Sequence, residues 1–430
     1  MWDQLPELIL IRIFRNLTCE DRFNVSGVCQ VWRRGVAAPA LWRSVTILID
    51  RDLTSGFPLA TLLAGKYGEH MRSLELAWSR PYVLSKETRN SANVRAQEGV
   101  DFLTALKVKE VQLKEFILTN WYFGTNWNYR GKILYALNRF IGSQNSLETL
   151  SIVNSNLGVT DVSKLLRAVT VSSGDGLKSL DLRGAFKDWQ IPHNSSKYLR
   201  HLGRLHALNN LQLDYPSISN QCLLNLANGA PNSLRNLHIS IRNTDHRQHT
   251  IDDSAWQTLV SACPQLTVSY NIVNISHFED MSYLLQPSVP MARFQMYSGH
   301  VWEQSRSRNF RSTVGLLVTY YSSTLVEVIL QLRNNREDLD DLLVSMLQRC
   351  KLLTTLRFDG IIRSLDTLSE ILKLQSERIT QFKTIHVRPR RVNMQNREIL
   401  SDICYRFNRG LRDQGVNFKV QHPGNSIFYY

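Results

Sequence analysis

A short apolar pattern that returns through most of the chain constrains the fold more than any other feature of the sequence. The pattern is apolar-x-x-apolar-x-apolar, and its copies start 26 to 39 residues apart. Its fourth and sixth positions alternate with polar residues, as in a strand that buries one face. The eleven copies are Met71-Leu74-Leu76, Val108-Val111-Leu113, Leu147-Leu150-Ile152, Leu177-Leu180-Leu182, Leu208-Leu211-Leu213, Leu234-Leu237-Ile239, Cys263-Leu266-Val268, Met291-Phe294-Met296, Leu325-Val328-Leu330, Leu353-Leu356-Phe358 and Phe382-Ile385-Val387. The sequence therefore predicts a series of short strands.

Helical spacing fills the intervals between these strands. Residues 220–227 and 339–347 both place apolar side chains on one helical face. One strand-plus-helix unit cannot cover its own apolar side, so neighbouring units must stack around a continuous core. The series resembles leucine-rich repeats, and this resemblance implies an α/β solenoid, a horseshoe, of about eleven irregular repeats.

The repeats depart from the family pattern in two ways. The Asn that follows the strand in leucine-rich repeats is replaced by Ser155 in the third copy and by Pro216 in the fifth. Two longer segments, 80–101 and 116–134, separate the first three copies and are predicted to be loops or extra helices.

The first fifty residues form a segment of different character. An apolar helix is predicted from Leu5 to Leu17, entered through Pro6 and capped by Asp3. A second helix, beginning at Thr18 or at Glu20-Asp21, is predicted to carry the apolar residues Phe23, Val25, Val28, Cys29 and Trp32, and Leu41-Trp42 forms a third apolar cluster. This apolar content exceeds what about fifty residues can bury internally, which indicates a surface for a partner.

The segment resembles the F-box signature in its residues and their spacing, which are Leu5-Pro6, Ile13-Phe14, Leu17, Asp21, Val28-Cys29, Trp32 and Leu41-Trp42. The resemblance implies a three-helix F-box at residues 1–46 that binds Skp1, and through Skp1 a cullin and a RING subunit. Residues 47–430 would then be a leucine-rich-repeat domain that receives a protein substrate. The stretches around Leu213-Asp214-Tyr215 and Ser254-Ala255-Trp256 are also similar to an irregular leucine-rich subgroup of F-box-only proteins, members thirty-three and thirty-nine.

Two sets of candidate binding residues follow. By residue type, a partner-facing ridge is predicted at Leu5, Pro6, Leu8, Ile9, Ile13 and Phe14, seated by Trp32 and Leu41; plain core packing is the alternative for the aromatic residues. The full set predicted to bind Skp1 is Leu5, Pro6, Leu8, Ile9, Ile13, Phe14, Leu17, Val28, Cys29, Trp32, Leu41 and Trp42.

The substrate is expected on the polar face of the sheet, which the third and fifth residues of each copy form. The candidate substrate-binding residues there are Arg293, Gln295, Arg357, His386 and Arg388. With Arg390 and Arg391, the arginines would recognise an acidic or phosphorylated segment through charge-assisted hydrogen bonds. Ordinary solvated arginine is the alternative.

Charge and motifs narrow the function classes. The net charge of +14 raises nucleic acid as a ligand, but the predicted strands do not stack Lys and Arg along one face, so none is expected. No phosphate loop, dinucleotide fingerprint or hydrolase motif is present, so we expect no catalysis and no cofactor. The six scattered cysteines predict neither a disulfide framework nor a zinc site, and Asp245-His246-Arg247-Gln248-His249 falls short of a metal ligand set.

The sequence shows no signal peptide and no apolar run long enough for a membrane span, so a cytoplasmic or nuclear location is expected. The resemblance implies a non-catalytic substrate-recognition subunit of an SCF (Skp1-cullin-F-box) ubiquitin ligase. The alternatives are a non-degradative scaffold bound to Skp1 and, with less support, a repeat protein associated with nucleic acid.

Overall fold

A computed structural model describes residues 5–54, 59–79, 89–121, 127–245, 249–275, 277–298 and 309–421 of the chain. These residues form sixteen α-helices and thirteen β-strands. The chain divides into two compact units. Unit 1 is Met1–Gln212 with Asn228–Leu234, and unit 2 is Leu213–Ala227 with Arg235–Tyr430. No helix among the described residues has both the length and the apolar character that crossing a bilayer requires.

Unit 1 begins with three short helices and continues as alternating strands and helices. Its helices are α1 (Glu7–Phe14), α2 (Cys19–Val25), α3 (Gln30–Val36), α4 (Ile49–Asp52), α5 (Leu59–Tyr67), α6 (Arg89–Val108), α7 (Trp127–Ile141), α8 (Val159–Ser172) and α9 (Ser196–Leu202). Its strands are β1 (Ser44–Leu48), β2 (Ser73–Ala77), β3 (Glu115–Thr119), β4 (Thr149–Val153), β5 (Ser179–Asp181) and β6 (Asn210–Asp214), of which the last two residues belong to unit 2. Each strand pairs in parallel with the next along the chain.

Unit 2 repeats the same alternation after α10 (Asn220–Gly229). Its strands are β7 (Asn236–Arg242), β8 (Thr267–Val273), β9 (Met291–Tyr297), β10 (Glu327–Gln331), β11 (Thr355–Gly360), β12 (Thr384–Pro389) and β13 (Asn417–Val420). Its helices are α11 (Asp253–Ala262), α12 (Phe278–Leu284), α13 (Phe310–Tyr321), α14 (Asp340–Arg349), α15 (Leu365–Ser376) and α16 (Met394–Asp413). These strands also pair in parallel and in chain order.

The predicted α/β leucine-rich-repeat architecture is confirmed, because strand–helix units stack through parallel strands within each unit. The apolar residues of the repeat form the core: Leu150 and Ile152 on β4 and Leu356 and Phe358 on β11 are buried. Parallel neighbours require a crossover between strands, and the helix of each repeat supplies it.

The structure adds two strands to the eleven copies. In β1, Val45 and Ile47 follow Trp42 at the repeat spacing. In β13, Phe418 and Val420 occupy the strand positions, but Gly415 stands where the first apolar residue would be. The pattern therefore did not predict the copy that crosses the end of the segment assigned to the F-box, or the copy that lacks its first apolar residue.

Two copies were placed in the wrong register. Val108 ends α6 and is 76% exposed, and β3 begins only at Glu115, so the second copy is Leu113-Phe116-Leu118. In the seventh copy, Val268 pairs with Leu237, which puts the strand two residues later than predicted. Apolar residues continue at similar spacings through helix ends and turns, so more than one register satisfied the pattern equally well.

The longer segments predicted as loops or extra helices overlap the two longest helices of unit 1. The first contains residues 89–101 of the twenty-residue α6, and the second contains residues 127–134 of the fifteen-residue α7. The segment that begins at residue 116 also contains most of β3, so this part of the prediction was wrong.

The first three helices differ from the prediction in their boundaries. Pro6 precedes α1 as expected, and the Thr18 hydroxyl caps α2 by accepting a hydrogen bond from the Asp21 amide at 3.1 Å. The predicted cap Asp3 lies outside the described residues. The second helix was expected to continue to Trp32. Instead, α2 ends at Val25 and a separate helix, α3, begins at Gln30.

Candidate functional site

The three N-terminal helices pack around a small core of their own. Leu10 and Phe14 on α1 are buried, and the Phe14 ring meets Trp32 of α3 edge to face at 5.6 Å. The Cβ of a residue larger than glycine at position 35 would lie 3.2 Å from the Phe14 ring, so Gly35 lets α3 approach α1 closely. The helices therefore form a compact cluster whose geometry does not depend on a partner.

Arg22 of α2 holds this cluster together from inside. Its guanidinium donates hydrogen bonds to the carbonyl oxygens of Phe14 at 3.0 Å, Arg15 at 3.0 Å and Leu41 at 2.7 Å. Burial lowers the pKa of Arg22, and burial also raises the pKa of the neighbouring Cys19 thiol to about 11. The sequence alone gives no sign that Arg22 is buried, because arginine side chains are mostly exposed.

Trp42 connects the helical cluster to the first repeat. Its indole stacks on Tyr67 of α5 at 4.1 Å and donates a hydrogen bond to the Val36 carbonyl at 2.7 Å. Strand β1 follows at once and pairs with β2. The predicted domain boundary between residues 46 and 47 thus falls inside β1, and it stays a prediction.

The predicted Skp1-binding residues divide into an exposed group and a buried group. Leu8 is 75% exposed, Val28 61%, Ile9 41% and Ile13 40%, and Pro6 is exposed as well. Leu5, Leu17, Cys29 and Trp32 are partly exposed. We call these four exposed residues, which are Leu8, Ile9 and Ile13 of α1 and Val28 of the turn between α2 and α3, the apolar face of the N-terminal helices. Phe23 of α2, which the Skp1 set did not include, is also exposed.

The other three predicted contact residues are placed differently. Phe14, Leu41 and Trp42 are buried against this chain itself, so the prediction that they present a surface to a partner is corrected. Residue type could not separate the two groups, because apolar side chains at helical spacing serve a core and an interface equally well.

The candidate substrate-binding residues share one face of the sheet in unit 2. Backbone register places Gln295, Ile329, Arg357, His386 and Lys419 side by side on β9 to β13. Adjacent members of this row lie on strands about 4.8 Å apart. Arg293 lies two residues before the row on β9, and Arg388 lies two residues after it on β12.

Two of the candidate side chains already bond to other residues of this chain. Arg388 forms an ion pair with Asp359 at 3.3 Å, and Arg390 bonds the other oxygen of the same fully buried carboxylate. Gln295 donates to the Glu327 carboxylate at 2.9 Å. Asp359 was not singled out from the sequence, and its charge offsets one of the two guanidiniums.

Arg357, His386 and Lys419 form the cationic part of the row, which we call the cationic row. Nε of Arg357 and Nε2 of His386 are buried and have no hydrogen-bond partner among the described residues. Burial and then Arg357 lower the pKa of His386, against an opposing hydrogen bond to Asn417. The imidazole lies in the row between Arg357 and Lys419. Lys419 was missed because β13 was not predicted.

Within the described part of the chain, no three His, Cys, Asp or Glu side chains lie close enough together to hold a metal ion. Of the Asp245 to His249 group, His246, Arg247 and Gln248 lie outside the described residues. His249 stacks on Tyr215, and its Nε2 lies 2.7 Å from the Ile218 carbonyl oxygen.

Comparison with known families gives one match in this chain. The model of F-box-like segments matches residues 2–48, which include α1, α2, α3 and β1. The match ends at the last residue of β1, so it contains the apolar face and Trp42, whereas Tyr67 lies outside it.

Curated relatives align over most of the chain. F-box/LRR-repeat protein 21 of Bos taurus is 23% identical over 389 residues, which cover 88% of this chain and 81% of the relative. F-box/LRR-repeat protein 8 of Bos taurus is 25% identical over 355 residues, 81% of this chain and 86% of the relative. The Mus musculus protein 8 is 27% identical over 306 residues, 67% and 73% respectively. The chain therefore carries an F-box-like segment and is similar to F-box/LRR-repeat proteins.

Among solved structures, the crystal structure of the TLR13-ssRNA13 complex aligns with 13% sequence identity and a TM-score of 0.31. The alignment covers 63% of this chain and 35% of that chain.

Proposed function

We propose that this chain is the substrate-recognition subunit of an SCF-type ubiquitin ligase. Its N-terminal helices bind Skp1, which connects the chain to a cullin and a RING subunit, and its repeats bind a protein target in the cytoplasm or nucleus. The chain supplies no catalytic group in this proposal. It raises the effective concentration of target lysines near the ubiquitin carrier.

The observation that carries the proposal is the apolar face of a segment that matches an F-box-like model. Leu8, Ile9, Ile13 and Val28 are exposed, although the buried residues beneath them already complete a core. Exposed aliphatic groups of this kind are the anchors that dominate the affinity of a protein interface once a partner covers them. The similarity to F-box/LRR-repeat proteins supports the same conclusion for the chain as a whole.

For the target, we propose the polar face of unit 2 around the predicted residues Arg293, Gln295, Arg357, His386 and Arg388. The support is the cationic row, in which Arg357 and His386 hold buried nitrogen atoms without hydrogen-bond partners among the described residues. An acidic group of the target would give this part of the sheet hydrogen bonds that the described part of the chain does not provide. Because Arg388 is paired with Asp359, it contributes less than the sequence analysis expected.

One affinity purification tests both halves of the proposal. The variant Ile9→Asp with Ile13→Asp should lose Skp1 by more than about tenfold, because each buried carboxylate opposes association by several kcal/mol. It should keep the target. The variant Arg357→Gln with His386→Asn should keep Skp1 and lose the target. Val171→Asp, which places one carboxylate at an exposed valine on α8, is the control.

Skp1 that remains bound to the Ile9→Asp, Ile13→Asp variant would show that the apolar face is not the interface. Cullin in the wild-type purification, together with accumulation of the target when the chain is depleted, separates a ligase subunit from a non-degradative scaffold. The resemblance to the F-box-only subgroup of members thirty-three and thirty-nine stays a prediction.

A further inference from the structure

Helices α6 and α7 of unit 1 enclose a groove that neither the apolar face nor the cationic row includes. The groove has a volume of about 490 Å³ and is lined by ten residues of the two helices. Its lining follows each helix at spacings of three and four residues, so one ridge of side chains borders each side. The volume lies within the usual range for ligand pockets.

The groove is apolar at its base and open at its rim. Val100, Leu103 and Ala136 contribute apolar surface to it. Val108 and Tyr135 also line it and are 76% and 63% exposed, which is unusual for large side chains that have room to pack inward. The apolar lining thus lacks a cover from the described part of the chain.

The charges of the groove have one sign. Lys107, Lys132 and Arg139 line it, and none of its ten lining residues is an Asp or Glu. These three cations make no ion pair with the described residues, and Arg139 instead lies over the Tyr135 ring at 5.7 Å. An apolar base between unpaired cations favours an occupant that combines aliphatic side chains with carboxylates.

We propose that this groove binds an acidic amphipathic helix of a partner protein. The lining residues run from Gln97 to Val108 along α6, a rise of about 16 Å, which is three helical turns. A partner helix of that length presents apolar anchors at i, i+4, i+7 and i+11 to the groove and carboxylates to its rim. The inference concerns a third surface and stands independently of the proposed function.

Other occupants fit less well. A second copy of this chain carries a net charge of +14 and would meet the cationic rim with repulsion. A nucleic acid would satisfy the cations, but its phosphates would leave the aliphatic base uncovered. An acidic helix satisfies both parts of the lining.

The test uses the full chain and a fluorescein-labelled helical peptide of about 18 residues with Leu at i, i+4, i+7 and i+11 and Glu on both flanks. Fluorescence anisotropy should give saturable binding with a Kd of about 10–100 μM that weakens with salt. The same peptide with Lys in place of Glu should not bind. A single-stranded RNA of similar length serves as the competing ligand.

Lys107→Gln with Lys132→Gln should weaken binding of the acidic peptide about tenfold, and Val108→Asp should do the same through repulsion in the groove. Lys109→Gln and Val171→Asp are the matched controls, since both residues are exposed but outside the lining. Equal binding of both peptides, tighter binding of RNA, or an affinity unchanged by these variants with a retained circular dichroism spectrum would overturn the proposal. Self-association of the chain that Val108→Asp abolishes would also overturn it.

Discussion

Arg22 shows how one side chain can determine the shape of an interaction segment without touching the partner. It is 7% exposed and bonds three carbonyl oxygens at or beyond the ends of α1 and the 3-10 turn at Leu41. Carbonyl groups at a helix end have no intrahelical partner, so the guanidinium supplies hydrogen bonds that the helix itself does not. The exposed Leu8 and Ile13 keep their positions because these interior bonds hold α1.

Replacing Arg22 with Met retains the aliphatic stem and removes all three hydrogen bonds. We expect the free energy of unfolding to fall by about 3 kcal/mol, because buried carbonyl oxygens lose their donors. Urea unfolding followed by circular dichroism measures the difference. The control is Arg34→Met on α3, where the arginine is exposed. An equal stability of the two variants would show that the Arg22 bonds contribute nothing.

At the scale of the repeat element, the turn after each strand has its own hydrogen bonds. Asn334 is buried beyond β10, where its Nδ2 donates to the Ile361 carbonyl and its Oδ1 accepts from the Ile361 amide, both at 2.8 Å. In the third copy, Ser155 takes the position that leucine-rich repeats give to Asn, and its buried hydroxyl has no partner among the described residues. Ser155 therefore adds no side-chain hydrogen bond to its turn within the described part of the chain.

Asn334→Ala should lower the free energy of unfolding by about 2–4 kcal/mol, since both polar groups of Ile361 lose their partner in a buried position. Thermal unfolding compares this variant with Asn335→Ala, whose side chain is exposed one residue further along. Equal melting temperatures for the two variants would mean that the paired bonds to Ile361 do not support the turn.

The period of the repeats could be predicted from sequence, but two of their registers could not. Leu147-Leu150-Ile152 is followed by a clear turn and gave β4 correctly. Val108 at the end of α6, with Val111 and Leu113 after the helix, fits the pattern as well as β3 does. Asn334 is a second residue whose position the repeat spacing did not predict. It lies one position after the ninth residue of its copy, which is Arg333. Spacing alone does not report where the backbone turns.

For the whole molecule, the motif predicted that an F-box-like segment is present, but it did not predict which side chains of that segment are buried. Phe14, Leu41 and Trp42 match the motif as well as Leu8 and Ile13 do, yet they pack inside. Likewise, Arg357 and Arg388 have the same residue type on neighbouring strands, and only the fold brings Asp359 to one of them. Burial and pairing depend on contacts between residues far apart in sequence.

Deleting residues 1–46 should destabilise what remains, because the deletion removes Trp42 and the first three residues of β1. The loss of a buried Trp alone costs about 3–5 kcal/mol. We expect the 47–430 fragment to melt at a lower temperature than the full chain and to aggregate, whereas the Ile9→Asp, Ile13→Asp variant melts normally. Differential scanning calorimetry and size-exclusion chromatography measure both. A fragment with an unchanged melting temperature would contradict this expectation.

The stacking of Trp42 on Tyr67 and the pairing of β1 with β2 also have a mechanical meaning. No flexible tether lies between α3 and the first repeat, because the chain passes from the helix through a short turn into a hydrogen-bonded strand. A subunit that binds α1 to α3 would therefore hold strands β2 to β5 in a fixed orientation relative to itself.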